Sequence, residues 1–216
     1  YEGPQITVYN NSMFAELCCT SNFTFLTGAS HPEEYVMRAH SLGYAGLGIT
    51  DEASVSGAVR AHLTSQTLNL PLIHGARFRL DDQLELTLLA PSRNAWGELG
   101  QLISLARRRS PKGSYQLTRR DFIGQTDTLL CLWHPNPQSL DWTKQLESLS
   151  YAFRGRLWIT AHLPESGHQA EFAERIDLAA FEWNLPVVAS QRPIMHVRQR
   201  LKLQHTLTAI RLGAPI

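Results

Sequence analysis

The chain has 216 residues, 43% hydrophobic and 18% charged, with a formal net charge of +1. This is globular composition with enough apolar surface for a core, and no run approaches the roughly 18 uninterrupted apolar residues of a membrane helix. Near-neutral charge excludes nucleic-acid binding by bulk charge and leaves only local basic patches.

Residues 1 to 12, YEGPQITVYNNS, are polar and uneven, and a regular pattern starts at Met13. Met13 therefore reads as a natural start behind an artificial leader, or equally as the end of a genuine extension. FAELCC alternates as a strand. Ser30, with Glu33 three residues on and Pro32 between them, predicts a capping box. The helix it opens turns Val36, Ala39 and Leu42 inward and stops at Gly43. YAGLGIT is a short apolar strand ending at Asp51, and a helix follows over about 53–69. PLIHGARFRL and LELTLLA are two strands around the turn Asp81-Asp82-Gln83.

A helix over about 94–109 buries Trp96, Leu99, Ile103 and Ala106 at three- and four-residue spacing. TLLCLWH, GRLWITAHL and LPVVAS are further strands, separated by helices near 140–153 and 168–184. A last amphipathic helix, about 197–212, carries Leu203, Leu207 and Ile210 on one stripe beside Arg198, Arg200, Lys202 and Arg211. It would pack on the body of the domain or hand the chain on to a following module. Repeated strand–helix alternation predicts one α/β domain with a largely parallel sheet, open or closed into a barrel, with chemistry at the C-terminal strand ends.

Three cysteines, Cys18, Cys19 and Cys131, lack a CxxC pair and fit a reducing cytoplasm. The nine histidines show no HxH or HExxH spacing, and His134 and His162, ending neighbouring strands, are the best remaining pair for a metal. There is no G-x-S-x-G elbow, P-loop or GxGxxG, so nucleophilic hydrolysis and nucleotide binding by those routes have no support. Arg107, Arg108, Arg109, Lys112, Arg119 and Arg120, with Tyr115 among them, form a basic stretch. It would contact phosphate backbone with Tyr115 stacking on a base, or another domain, or it is a solvated helix end.

Five collinear segments carry a resemblance: MFAELCCTSNFTFLTGASHPEEYV, LGYAGLGITDEASVSGAVRAH, GARFRLDD, RRRSPKGSYQLTRRDF and MHVRQRLKLQHTLTAIRLGAPI. Together they resemble the N-terminal polymerase-and-histidinol-phosphatase (PHP) domain of error-prone bacterial DNA polymerases of the ImuC type, which are related to the polymerase III alpha subunit. The resemblance implies a distorted (β/α)7 barrel over residues 13–216. It places the polymerase palm, fingers and later domains downstream of Ile216. It further implies a parent that copies damaged templates with Mg²⁺, alongside a translesion accessory protein and the sliding clamp.

Active PHP domains hold metal ions with His, Asp and Glu at strand ends. The first signature, His-x-His, puts both imidazoles on one strand face. The resemblance puts Cys18 and Thr20 there. The Thr-Asp-His signature falls on Thr50, Asp51 and Glu52; the Glu of Gly-Ala-Glu-Phe falls on Arg77; and the final Asp-x-His falls on Arg192 and Ile194, with His196 two residues further on. Arginine is always charged and has no acceptor. Unit charges roughly 4 Å apart repel by about 4 kcal/mol at an effective dielectric of about 20, and a divalent ion doubles this. The expectation is therefore that guanidinium has replaced metal, with Arg77 or Arg192 pairing with Asp51 or Glu52. No catalytic or metal-binding residue and no cofactor are expected within the chain. The alternatives are a metal-dependent phosphoesterase or 3′–5′ exonuclease using Cys18, Asp51 and Glu52, or a free-standing DNA- or protein-binding module.

Overall fold

The computed structural model describes residues 14–162 and 167–215, so the reading of Met13 and the preceding leader lies outside the described residues. Seven strands form one sheet in sequence order: β1 (Ala15–Cys19), β2 (Gly46–Ile49), β3 (Leu72–Arg79), β4 (Glu85–Ala90), β5 (Leu130–His134), β6 (Leu157–Ala161) and β7 (Val187–Ala189). Six α-helices accompany them: α1 (Pro32–Ser41), α2 (Ala58–Leu68), α3 (Arg93–Arg108), α4 (Trp142–Ala152), α5 (Gln169–Trp183) and α6 (Leu201–Leu212).

Every pairing is parallel except those of β4, which runs antiparallel to both β3 and β5. The link from Leu80 to Leu84 is too short for a helical crossover, so β3 and β4 must form a hairpin. The start of β4 consequently joins the C-terminal ends of the other strands on one rim.

The core divides by the two-residue period of the strands. Leu47, Ile49 and Cys19 pack with Tyr35, Val36, Ala39 and Ala61 beneath α1 and α2. Ala76, Phe78, Leu86, Leu88, Cys131, Trp133, Leu157 and Ile159 pack outward with α3, α4 and α5. The opposite faces meet in a third cluster: Cys18, Leu89 and Leu132, with Ile73, Trp158 and Val188 against them. Side chains from β1, β3, β4, β5, β6 and β7 touch there without any helix residue, so the sheet curls upon itself. This is the distorted barrel with helices outside.

β1 and β7 exchange no ladder bonds. The buried Glu16 carboxylate spans the seam instead, accepting from Ser190 Oγ, the Gln191 N–H at 2.6 Å and the Cys18 N–H at 2.9 Å. The segment after β7 then crosses the end of β1, where Thr20 N–H donates to Pro193 O at 3.0 Å and Ala29 N–H to Ile194 O at 2.8 Å.

Several local expectations are corrected. α1 is capped at His31, not Ser30, with the His31 N–H donating to Glu34 at 2.8 Å. Ser30 is buried and engages His196 Nδ1 at 2.8 Å, so it holds a distant segment rather than a helix end. α2 begins at Ala58 because residues 51–53 first bridge to β3: Arg77 N–H donates to Asp51 O and Ala53 N–H to Arg77 O. Leu42 and Trp96 are partly exposed rather than buried. α6 has no buried residue, so its apolar stripe does not pack into the barrel.

An arginine-filled strand-end rim

Of the residues expected at the site, Arg77, Glu52 and Arg192 meet at one rim, joined by Glu85. Arg77 Nη2 lies 2.9 Å from Glu52 Oε2 and its Nη1 lies 3.8 Å from Glu85. Arg192 pairs directly with Glu85, and Arg79 reaches the same carboxylate at 3.5 Å. Of the two arginines expected to pair with Asp51 or Glu52, Arg77 does so through Glu52. Arg192 turns to Glu85, which the strand pattern of LELTLLA contained but whose place on the rim only the hairpin revealed.

Asp51 meets no guanidinium. Its carboxylate accepts from the Ser21 N–H at 2.8 Å, Ser21 Oγ at 2.7 Å and Thr24 Oγ1 at 2.7 Å. Burial pushes this carboxyl above its ordinary value, against the pull of those donors. Glu52 behaves oppositely. Burial works to raise it, but Arg77 and the Tyr115 hydroxyl, donating at 2.9 Å, outweigh burial and hold it below the usual range.

Cys18 is buried against the barrel interior, and burial pushes its thiol up to about 11, so it is protonated at neutral pH. Thr20 is buried, and the Ile194 carbonyl is taken by Ala29. His134 is fixed on both sides: Nε2 meets Thr87 Oγ1 and Nδ1 meets Thr160 Oγ1, each at 2.7 Å. Thr160 Oγ1 donates to Trp133 O at 2.8 Å, so it accepts from Nδ1–H, and Nε2 is the acceptor. Burial first, then Arg192 and Arg77, hold this imidazole well below its ordinary value and therefore neutral. His162 shares only the adjacent cleft with it. Among the described residues, no three His, Cys, Asp or Glu side chains come together in a metal-binding group.

A family model for the PHP domain matches residues 16–171. The chain belongs to the PHP domain family. It is 43% identical over 206 residues to an error-prone DNA polymerase of Methylococcus capsulatus and 41% identical over 207 residues to one of Vibrio vulnificus. Those matches cover 95% and 94% of this chain, which spans about 20% of the length of each relative. The matched part is the N-terminal region of those polymerases. Among solved structures, a two-domain protein of Bacteroides vulgatus, described as containing a predicted PHP-like metal-dependent phosphoesterase, superposes with a TM-score of 0.62 at 14% identity. That match covers 90% of this chain and 55% of the other. An amidohydrolase of Chromobacterium violaceum gives 0.59 at 13%, covering 84% and 87%. Both likenesses concern the fold.

In this PHP domain the basic stretch is partly consumed internally. Arg107 donates to the Ala53, Glu52 and Ser114 carbonyls and lies over Tyr115. Arg109 pairs with Asp121 at 2.8 Å and Arg119 with Asp82 at 2.6 Å. Tyr115 packs edge-on to Phe78 and bonds Glu52, so its ring is part of the rim's support. Arg108, Lys112 and Arg120 remain exposed, with no side-chain partner among the described residues. No helix among those residues is long and apolar enough to cross a membrane.

Proposed function

We propose that this PHP domain is non-catalytic and serves as a structural and interaction module of an error-prone, translesion DNA polymerase. One observation carries the reading: Arg77 and Arg192 occupy the rim and are tied to Glu52 and Glu85. The donor set does not suit a divalent cation. Its thiol is protonated, its aspartate is already saturated with hydroxyl and amide donors, and two guanidiniums repel a cation. The identity to error-prone polymerases supports the choice of parent. That parent would carry out Mg²⁺-dependent, template-directed synthesis across damage in the cytoplasm, with a translesion accessory protein and the sliding clamp as partners. Arg108, Lys112 and Arg120 are the cations left for contact with DNA or with the rest of the polymerase.

The test is elemental analysis of the purified chain, joined to a phosphoesterase assay in Mn²⁺ or Zn²⁺. The expected outcome is no stoichiometric metal and no turnover. Metal at one or more equivalents that is lost in Cys18→Ser and Asp51→Asn, or turnover abolished by those changes, would overturn the reading in favour of a metal-dependent phosphoesterase.

A further inference from the structure

Beside the rim lies a cleft of about 380 Å³, walled by Arg79, Glu85, Thr160, His162 and Arg192. We propose that this cleft binds a phosphate group directly on Arg79 and Arg192, without a metal ion. The proposal rests on the reading that arginine has taken the place of metal here, and it reverses the charge of the ligand.

The charges lining the cleft do not balance. Arg77, behind it, has Glu52 as its partner and Asp51 within its field, and Glu52 is further engaged by Tyr115. Arg79 and Arg192 share Glu85, which Arg77 approaches as well. Among the described residues Glu85 is the only carboxylate lining the cleft. Two guanidiniums there thus face one carboxylate, which favours an anion.

The hydrogen-bond donors are also left over. A guanidinium has five N–H groups in a planar fork suited to phosphate oxygens. Arg79 and Arg192 each meet Glu85 through one terminal nitrogen, and among the described residues neither guanidinium makes another hydrogen bond or ion pair. Arg79 is 55% exposed and Arg192 19%, so both can be reached from solvent. Arg192 also holds a left-handed backbone, φ +48°, with its N–H donating to Ser190 Oγ at 3.2 Å. A side chain seldom accepts that conformation, and here it goes with a guanidinium lying at the cleft wall. His134, which also lines the cleft, is locked as a neutral imidazole by Thr87 and Thr160. At about 380 Å³ the cleft also has room for an organic substituent on the phosphate.

The experiment is calorimetric titration of the chain in EDTA with three probes: orthophosphate, a nucleoside 5′-monophosphate and the corresponding nucleoside. The expected result is saturable binding of one or both phosphates, weakened by salt, and none of the nucleoside. Tighter binding of the monophosphate identifies an ester as the ligand class; equal binding identifies the bare anion. Arg79→Gln and Arg192→Gln should each weaken binding by about tenfold, the scale of one charge-assisted contact, while Arg93→Gln on α3 should not. Arg79 is half-exposed, so its variant keeps the test valid if Arg192→Gln fails to fold, as circular dichroism would show. No saturable phosphate binding, or binding indifferent to the Arg79 substitution, overturns the proposal and leaves the non-catalytic reading standing. Phosphate binding that appears only on adding Mn²⁺ overturns both.

Discussion

Arg77 is 14% exposed where β3 reaches the rim, and Glu52 beside it is 30% exposed. At that depth each charge has lost much of its hydration, and the ion pair returns about what desolvation removes. Deleting one partner is a different matter, because the other is left charged and half-buried. Arg77→Ala should therefore destabilise the domain by about 2–4 kcal/mol, whereas the double change Arg77→Met with Glu52→Leu should cost less than that single change. Urea unfolding measures both. A single-variant loss within about 0.5 kcal/mol would mean that the pair is effectively solvated. The two arginines are cations that the PHP resemblance aligns with ligand positions. Glu85 as their shared counter-ion was not legible in the sequence, because nothing in the order of residues says that the start of β4 returns to the same rim.

At the scale of elements, glycine usage separates positions made by the fold from positions open to change. A Cβ on Gly48 in β2 would lie 2.3 Å from the Leu17 carbonyl oxygen, at the irregular pairing with β1. Gly97 and Gly100 lie within α3, and a Cβ at either would meet nothing within 4 Å. Gly97→Ala and Gly100→Ala should each stabilise by about 0.5–1 kcal/mol, since alanine restricts the unfolded chain and favours helix. Gly48→Ala should instead prevent stable folding, and thermal melting of the three variants gives the comparison. The strand and helix positions themselves were largely legible from their periods. Helix starts were less so. The α1 cap moved from Ser30 to His31 because Ser30 is claimed by His196. The start of α2 was delayed because residues 51–53 pair with β3 first. A local signature loses when a distant partner takes the same polar group or backbone.

The whole molecule depends on how the curled sheet is closed. With no ladder between β1 and β7, Glu16 holds the seam by accepting from three donors on both sides of it. Hydrogen bonds to a charged group contribute roughly 1.5–3 kcal/mol each, so Glu16→Ala should cost about 3 kcal/mol or more and loosen residues 190–196. Hydrogen exchange of the Gln191 and Cys18 amides would report that loosening. Protection unchanged in the variant would show that the seam is closed by packing alone. The same crossing segment brings Arg192 to the cleft, so seam and rim are parts of one arrangement.

By itself the sequence determined the α/β class and the run of seven strands, which follow from periodicity and are local. Its resemblance to the PHP family, a separate argument, implied arginines where that family carries ligands. Only the tertiary structure decided which carboxylate each arginine meets, that Tyr115 and Arg107 are turned inward to support Glu52, and that His134 is a satisfied core residue. Those outcomes depend on the reversal of β4 and the curl of the sheet, which place residues far apart in the chain within hydrogen-bond reach. Competition for donors and acceptors at the rim then settles the pairs.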